Sequence, residues 1–190
     1  MKKTIIIIAI LAFSQVKSQL IKDESIAFSV GYGLSAPYDD VNVAATGFYL
    51  QGEYVFTLAK WMDMRPYAGL ILTKSNGEDL NENPTPYKAT SKAFLIGGKT
   101  RITAPIPWVA PYIEAGVGTS IGSFKTLTPY TDFDKSGLIV HVPCSIGLEL
   151  GPNQNFDIAF TYYFHPSMKQ FSGAAAFGIS FPINTIKRIS

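Results

Sequence analysis

Apolar residues recur at every second position through most of this chain. In FDIAFTYYFH, 156–165, Phe156, Ile158, Phe160, Tyr162 and Phe164 alternate with Asp157, Ala159, Thr161, Tyr163 and His165. Alternate side chains of a strand face opposite sides, so the segment has one greasy aromatic face and one smaller, more polar face. The same period of two runs through 26–35, 47–58, 65–74, 92–103, 111–122, 138–150 and 173–183. Ile26, Phe28, Val30, Tyr32 and Leu34 share a face in the first of these, and Val140, Val142, Cys144, Ile146, Leu148 and Leu150 in the sixth. Segment 65–74 is the least regular, and analogy with 111–122 puts Ala68, Leu70 and Leu72 on its greasy face. Eight amphipathic strands result, each about ten residues long, which is what a tilted strand needs to cross a bilayer. No helical period competes.

The connections alternate in length. Residues 59–64, 104–110 and 151–155 are short, whereas 36–46, 75–91 and 123–137 are long and polar, with 166–172 intermediate. Short turns on one side and long loops on the other predict an up-and-down barrel with both ends of the chain in the periplasm. Pro143 falls inside a predicted strand, where its missing N–H calls for a bulge.

The two faces differ in size as well as polarity. One is a nearly unbroken set of Phe, Tyr, Leu, Ile and Val. The other is rich in Gly, Ala and Ser and carries Glu53, Lys99, Arg101, Glu114, Glu149 and Asp157. Eight strands close around an interior only wide enough for side chains. Small residues with a few long charged ones fit there, and the large apolar set does not, so the greasy face belongs against lipid. The expected fold is all-β: a closed, antiparallel, eight-stranded transmembrane β-barrel. Four inward carboxylates then face Lys99 and Arg101, with Arg65 a further candidate, as a charged network that plugs the lumen.

Composition agrees with a membrane protein that crosses without helices. The chain of 190 residues is 47% hydrophobic and only 16% charged, yet no apolar run approaches the length of a spanning helix. Lys2 and Lys3 followed by the apolar run 5–13 and small residues near Ser18 read as a secretory signal over 1–18, leaving 19–190 as a barrel domain with a short basic C-terminal tail. Removing Lys2, Lys3 and Lys17 leaves thirteen basic against fourteen acidic side chains, so nothing in the charge points to nucleic acid. The lone Cys144 has no internal disulfide partner.

With its leader, its Pro-Tyr strand starts (Pro66-Tyr67 and Pro111-Tyr112) and its aromatic closing strand FGISF at 177–181, the chain resembles the small eight-stranded outer-membrane β-barrel family of Gram-negative bacteria. The resemblance spans the predicted barrel and implies an outer-membrane location and porin-like architecture. It implies no particular activity.

One motif points to chemistry. His165-Pro166-Ser167 resembles the His-x-Ser core of outer-membrane lipid A deacylases, which implies His165 as base and Ser167 as nucleophile. The residue after the serine is Met168, and no Asp or Glu follows Asp157, so the implied downstream acid is missing. Strand parity also turns His165 toward the lumen. The simpler reading is a strand-end histidine at headgroup level. His141 and His165 lack a third ligand at metal-binding spacing. Gly31-x-Gly33 and Gly116-x-Gly118 open no helix and read as glycines at tight lumen packing. Trp61 and Trp108 in short turns read as interfacial anchors.

The residues therefore predict a non-enzymatic, monomeric outer-membrane barrel without cofactor or metal. It would contact outer-membrane lipids and meet a surface ligand or protein through its long loops. A lipid A-modifying hydrolase and a narrow pore are the alternatives. A secreted lipocalin-like binder would need an apolar cavity, which the charged face opposes.

Overall fold

The computed structural model describes residues 21–185. The segment 1–18, expected to be a leader, and the basic residues after Thr185 lie outside the described residues. Eight strands follow in chain order: β1 (Asp23–Pro37), β2 (Ala45–Ala59), β3 (Met62–Lys74), β4 (Lys88–Thr103), β5 (Trp108–Leu127), β6 (Asp132–Gly151), β7 (Phe156–Phe164) and β8 (Gln170–Thr185). Each pairs antiparallel with its neighbours, and β1 pairs with β8, closing the barrel. Closure leaves no sheet edge, so every strand has a partner on both sides, as an apolar bilayer demands.

Alternation decides what each side chain meets. Outward residues form an apolar belt that includes Ile113, Val117, Ile146, Ile158 and Phe177, with Val117 62% and Ile146 65% exposed. Such a surface would drive aggregation in water and is at home only in lipid. Ala68, Leu70 and Leu72 face outward too, and Cys144 is exposed on this wall. Trp61 and Trp108, both more than half exposed, sit at the end of the barrel with the short turns. At that end residues 60–61, 104–107 and 152–155 connect the strands. The β6–β7 turn is made by Gly151 at φ 95°, a conformation that favours glycine.

Three expectations change. Residues 123–137 are largely strand and not loop: β5 and β6 each run for 20 residues and leave only 128–131 as a turn. Their hairpin stands beyond the lipid belt, paired through Phe124↔Lys135 and Leu127↔Asp132. Pro143 makes no bulge, since one register holds from Ala115↔Cys144 to Gly118↔His141. That register sets the buried proline ring opposite Gly116, where there is no side chain to displace it. Bulges fall instead at Glu24/Ser25 and Thr57/Ala59, by the short-turn end. Finally, β8 continues past FGISF and pairs to β1 as far as Thr185, so the first residues of the expected tail belong to the barrel wall.

The lumen also holds more than small and charged groups. Tyr49, Tyr67, Ile71, Leu95, Phe124, Ile139, Tyr163 and Met168 are buried there as an apolar cluster on the long-loop side. All but Met168, which lies in the turn after β7, come from the mixed face of the strands, where large residues sit among glycines and serines.

Candidate functional site

The charged lumen residues gather near the short-turn end. Glu53 enters from the middle of β2, Arg65 from the start of β3, Lys99 and Arg101 from the end of β4. Glu114 comes from β5, Glu149 from the end of β6 and Asp157 from the start of β7. Lys99 Nζ lies 2.7 Å from both Glu53 Oε1 and Glu114 Oε2. Arg101 donates from Nε to Glu114 and from Nη1 to Glu149, each at 2.7 Å. Its guanidinium carbon also lies 3.6 Å from the centre of the Tyr112 ring. Arg65 donates to Glu53 at 2.9 Å and approaches Asp63 at 3.4 Å and Glu149 at 3.7 Å. Asp157 is the least tightly held, 3.9 Å from Arg101 and accepting from Tyr112 at 3.4 Å. Three cations thus serve four deep carboxylates plus Asp63 at the rim. Among the buried polar atoms, Arg65 Nε has no hydrogen-bond partner.

This cluster is stitched to the layer above it. Gln51 donates to Glu53 at 2.7 Å and accepts from the Tyr163 hydroxyl at 2.8 Å. Tyr163 in turn shares a 2.8 Å hydrogen bond with Tyr49. A second polar chain crosses the same level. Ser120 Oγ lies 2.8 Å from His141 Nδ1 and 2.8 Å from His165 Nε2, and His141 Nε2 lies 2.5 Å from the Tyr67 hydroxyl. One neutral assignment satisfies all three contacts and leaves the His165 Nδ1–H facing the Tyr163 carbonyl: Tyr67 donates to His141, His141 donates to Ser120, and Ser120 donates to His165. Gly118 makes room for this chain, because a Cβ there would lie 2.6 Å from His141 Nε2. Further out, Ser35, Thr73, Ser91, Ser172, Gln170 and Thr126 bond to one another across the lumen.

The structure does not assemble the hydrolase constellation. His165 is not at headgroup level but inside the barrel, 1% exposed. It follows β7 in the inward phase of that strand. Its Nε2 is on Ser120, and its Nδ1 turns toward the Tyr163 carbonyl without closing a bond of normal geometry. Ser167 is exposed in the turn after β7. Among the described residues no hydrogen bond joins it to His165, and no carboxylate reaches either imidazole. Nor do three or more His, Cys, Asp or Glu side chains converge as metal ligands among them.

Outside the lipid belt the loops brace one another. Thr128, at the tip of the β5–β6 hairpin, donates to the Asp39 carboxylate in the β1–β2 loop. That bond, helped by Thr131, holds the Asp39 carboxyl below its ordinary range. The Leu80 amide of the β3–β4 loop donates to the Asn42 carbonyl at 2.9 Å. Tyr38 bonds to Tyr162 through their hydroxyls on the outer wall.

A closed eight-stranded barrel with a lipid-facing belt and a filled polar lumen defines an integral protein of the bacterial outer membrane. The sequence matches no family model and no curated protein. Its fold, however, is that of the small eight-stranded outer-membrane barrels. Neisserial surface protein A superposes with a TM-score of 0.59 at 12% identity, covering 84% of this chain and 97% of that one. The N-terminal β-barrel domain of Pseudomonas aeruginosa OprF gives 0.51 at 11% identity, covering 85% and 99%. The outer membrane enzyme PagL also aligns, at 0.45 and 12% identity over 84% and 99%, too loosely for its site to be compared. Identities this low speak to fold alone.

Proposed function

We propose that this protein is a non-enzymatic outer-membrane barrel whose lumen is a structural plug and whose working surface is its long-loop end. The observation that carries this reading is the packing around the lumen ion pairs. The cavity between Glu53, Lys99, Arg101, Glu114 and Asp157 amounts to about 10 Å³. That is roughly the space of a single water, which needs about 10–15 Å³ by this measure. A conducting pore needs a continuous file of waters, and so small a cavity among the ion pairs opposes one. Catalysis is disfavoured by the separation of Ser167 from the buried His165 and by the lack of an acid beside either histidine.

Two measurements on the purified, folded protein test the proposal. In planar bilayers it shows no steady ohmic conductance; steady conductance that changes in Lys99→Gln makes it a pore instead. Incubated with lipid A, it releases no fatty acid. Release that disappears in Ser167→Ala overturns the non-enzymatic assignment.

A further inference from the structure

The outer wall carries positive charge on one side only. On β3 the outward positions Ala68, Leu70 and Leu72 lead to Lys74, where the strand meets its long loop. On β4, read toward its own loop, Ile96 and Phe94 lead to Lys92, then Thr90 and Lys88. On β5, Val117, Thr119, Ile121 and Ser123 lead to Lys125. On three consecutive strands, then, the first charged outward residue beyond the apolar belt is a lysine. Among the described strands no other outward position holds a lysine or arginine. The far side of the same rim carries aromatic rings, with Tyr162 stacked on Phe171 and Phe171 on Phe160.

The register groups these lysines. Lys92 lies opposite Leu72 on β3 and opposite Ser123 on β5. Lys74 and Lys125, each two residues further on, are therefore its diagonal neighbours, with Cβ atoms about 7–8 Å away. Lys88 stands diagonally from Lys125 in the same way, opposite Leu127. Among the described residues, only Lys125 of the four has a carboxylate within reach, Asp134 at 2.9 Å. Two of the nearby loop acids, Asp79 and Glu78, are engaged within their own loop. Asp79 accepts from the Asn81 and Asn83 amides, and Glu78 accepts from Asn76.

From this arrangement we infer that the outer wall of β3–β5 is a docking site for a phosphorylated lipid of the outer leaflet, its phosphate held by Lys74 and Lys92 and its acyl chains lying along Leu72, Phe94 and Ile121. Two ammonium groups on flexible stems, unpaired among the described residues, stand on diagonal positions at the height where the belt ends. The stems lie along apolar neighbours while the charges reach the headgroup plane. A free anion would use only the lysines. A lipid uses the lysines and the belt directly below them together, and this continuity selects the lipid. Lys125 and Lys88 extend the positive field to a second phosphate or a larger headgroup.

The site is tested with the full barrel in detergent micelles, by native mass spectrometry with bisphosphorylated lipid A and with the same lipid stripped of its phosphates. The phosphorylated lipid stays bound and the stripped lipid does not. Lys74→Gln with Lys92→Gln lowers the bound fraction by an order of magnitude or so, since each lysine near a charged lipid surface contributes severalfold. Lys74→Arg with Lys92→Arg retains it, and Lys22→Gln with Lys60→Gln, at the opposite end, leaves it unchanged. Unboiled gel mobility verifies that every variant is folded. Equal binding of the stripped lipid, equal loss in the Lys22/Lys60 variant, or displacement by millimolar inorganic phosphate overturns the site. The inference rests on the long loops facing outward. That is read separately by labelling Asn81→Cys in intact cells with an impermeant maleimide, where labelling only after lysis overturns the orientation without bearing on lipid affinity in micelles.

Discussion

Arg101 concentrates the energetics of the lumen. It bonds Glu114 and Glu149, covers Tyr112 with its guanidinium and is 2% exposed. Removing one partner of a buried pair leaves an uncompensated charge and costs about 3–5 kcal/mol, whereas removing both is often close to neutral. Arg101→Met is therefore expected to lower the stability of the folded barrel by about that amount in urea titrations in lipid vesicles. Adding Glu114→Gln recovers part of the loss. Arg101→Lys does not restore wild-type stability, because an ammonium cannot fork to two carboxylates and cover a ring at once. A double variant no more stable than Arg101→Met alone would contradict this account. Counting in twos from the strand starts already places Arg101 and its acids on one face. Which acid it meets was not legible, because that depends on how far each strand slides against the next. Asp157 shows the difference: it shares the inward face yet stops 3.9 Å from Arg101. His165 shows it too, since its parity was readable but its partner Ser120 lies on a strand two places away.

The β5–β6 hairpin is where element boundaries departed most from the sequence reading. Residues 123–137 carry Lys125, Asp132, Asp134 and Lys135, and so many charges read as loop. In the structure those charges serve the ladder: Lys125 pairs across the strands with Asp134, and Phe124 turns inward against the His165 ring at 4.7 Å between centroids. The alternation continues, but beyond the belt its outward members need not be apolar, so the hydropathy signal fades while the strand does not. The hairpin tip then fastens to the first loop through Thr128 and Asp39. The Asp39 carboxyl titrates below the ordinary 3.8 because the Thr128 hydroxyl, then Thr131, bond its charged form. A carboxyl with a depressed folded-state pKa stabilises fully above its unfolded value, and the contribution is lost as pH falls through the folded value. Protease resistance of the hairpin tip should thus hold from pH 7 to about 5 and decline below about 4, near the ordinary aspartate range. In Asp39→Asn resistance should be weaker at neutral pH and flat across that range, measured with an acid-tolerant protease on the micellar barrel. An unchanged pH profile in Asp39→Asn would assign the clasp to other groups.

At the scale of the whole molecule the barrel is inverted relative to a soluble one, with its apolar mass outside. Inside, beneath the hydrogen-bonded network of Ser35, Thr73, Ser91, Ser172, Gln170 and Thr126, two layers of different chemistry lie one above the other. The layer toward the short turns is ionic, built on Lys99 and Arg101; the layer toward the long loops is aromatic and aliphatic, with Tyr49, Tyr163, Leu95, Ile71 and Phe124. The charged layer was readable because charges are conspicuous on a face of small residues. The second was not, because its large residues are scattered one or two to a strand, and only closure brings the hydroxyl of Tyr49 on β2 within 2.8 Å of that of Tyr163 on β7. Two layers in series make a distinct prediction about sealing. If the ion pairs alone closed the lumen, replacing Glu53, Lys99, Arg101 and Glu114 by alanine would open it. With the aromatic layer intact above them, that fourfold variant should remain non-conducting in planar bilayers, provided unboiled gel mobility shows it folded. Adding Tyr49→Ala and Tyr163→Ala removes the hydroxyl pair and the rings spanning the second layer, and a steady ohmic conductance should then appear. The paired tyrosine substitutions alone should also stay closed, because the cluster beneath them leaves room for about one water. Conductance in either partial variant would reduce the seal to a single layer. Conductance confined to the combined variant would establish that ionic and aromatic layers each close the barrel independently.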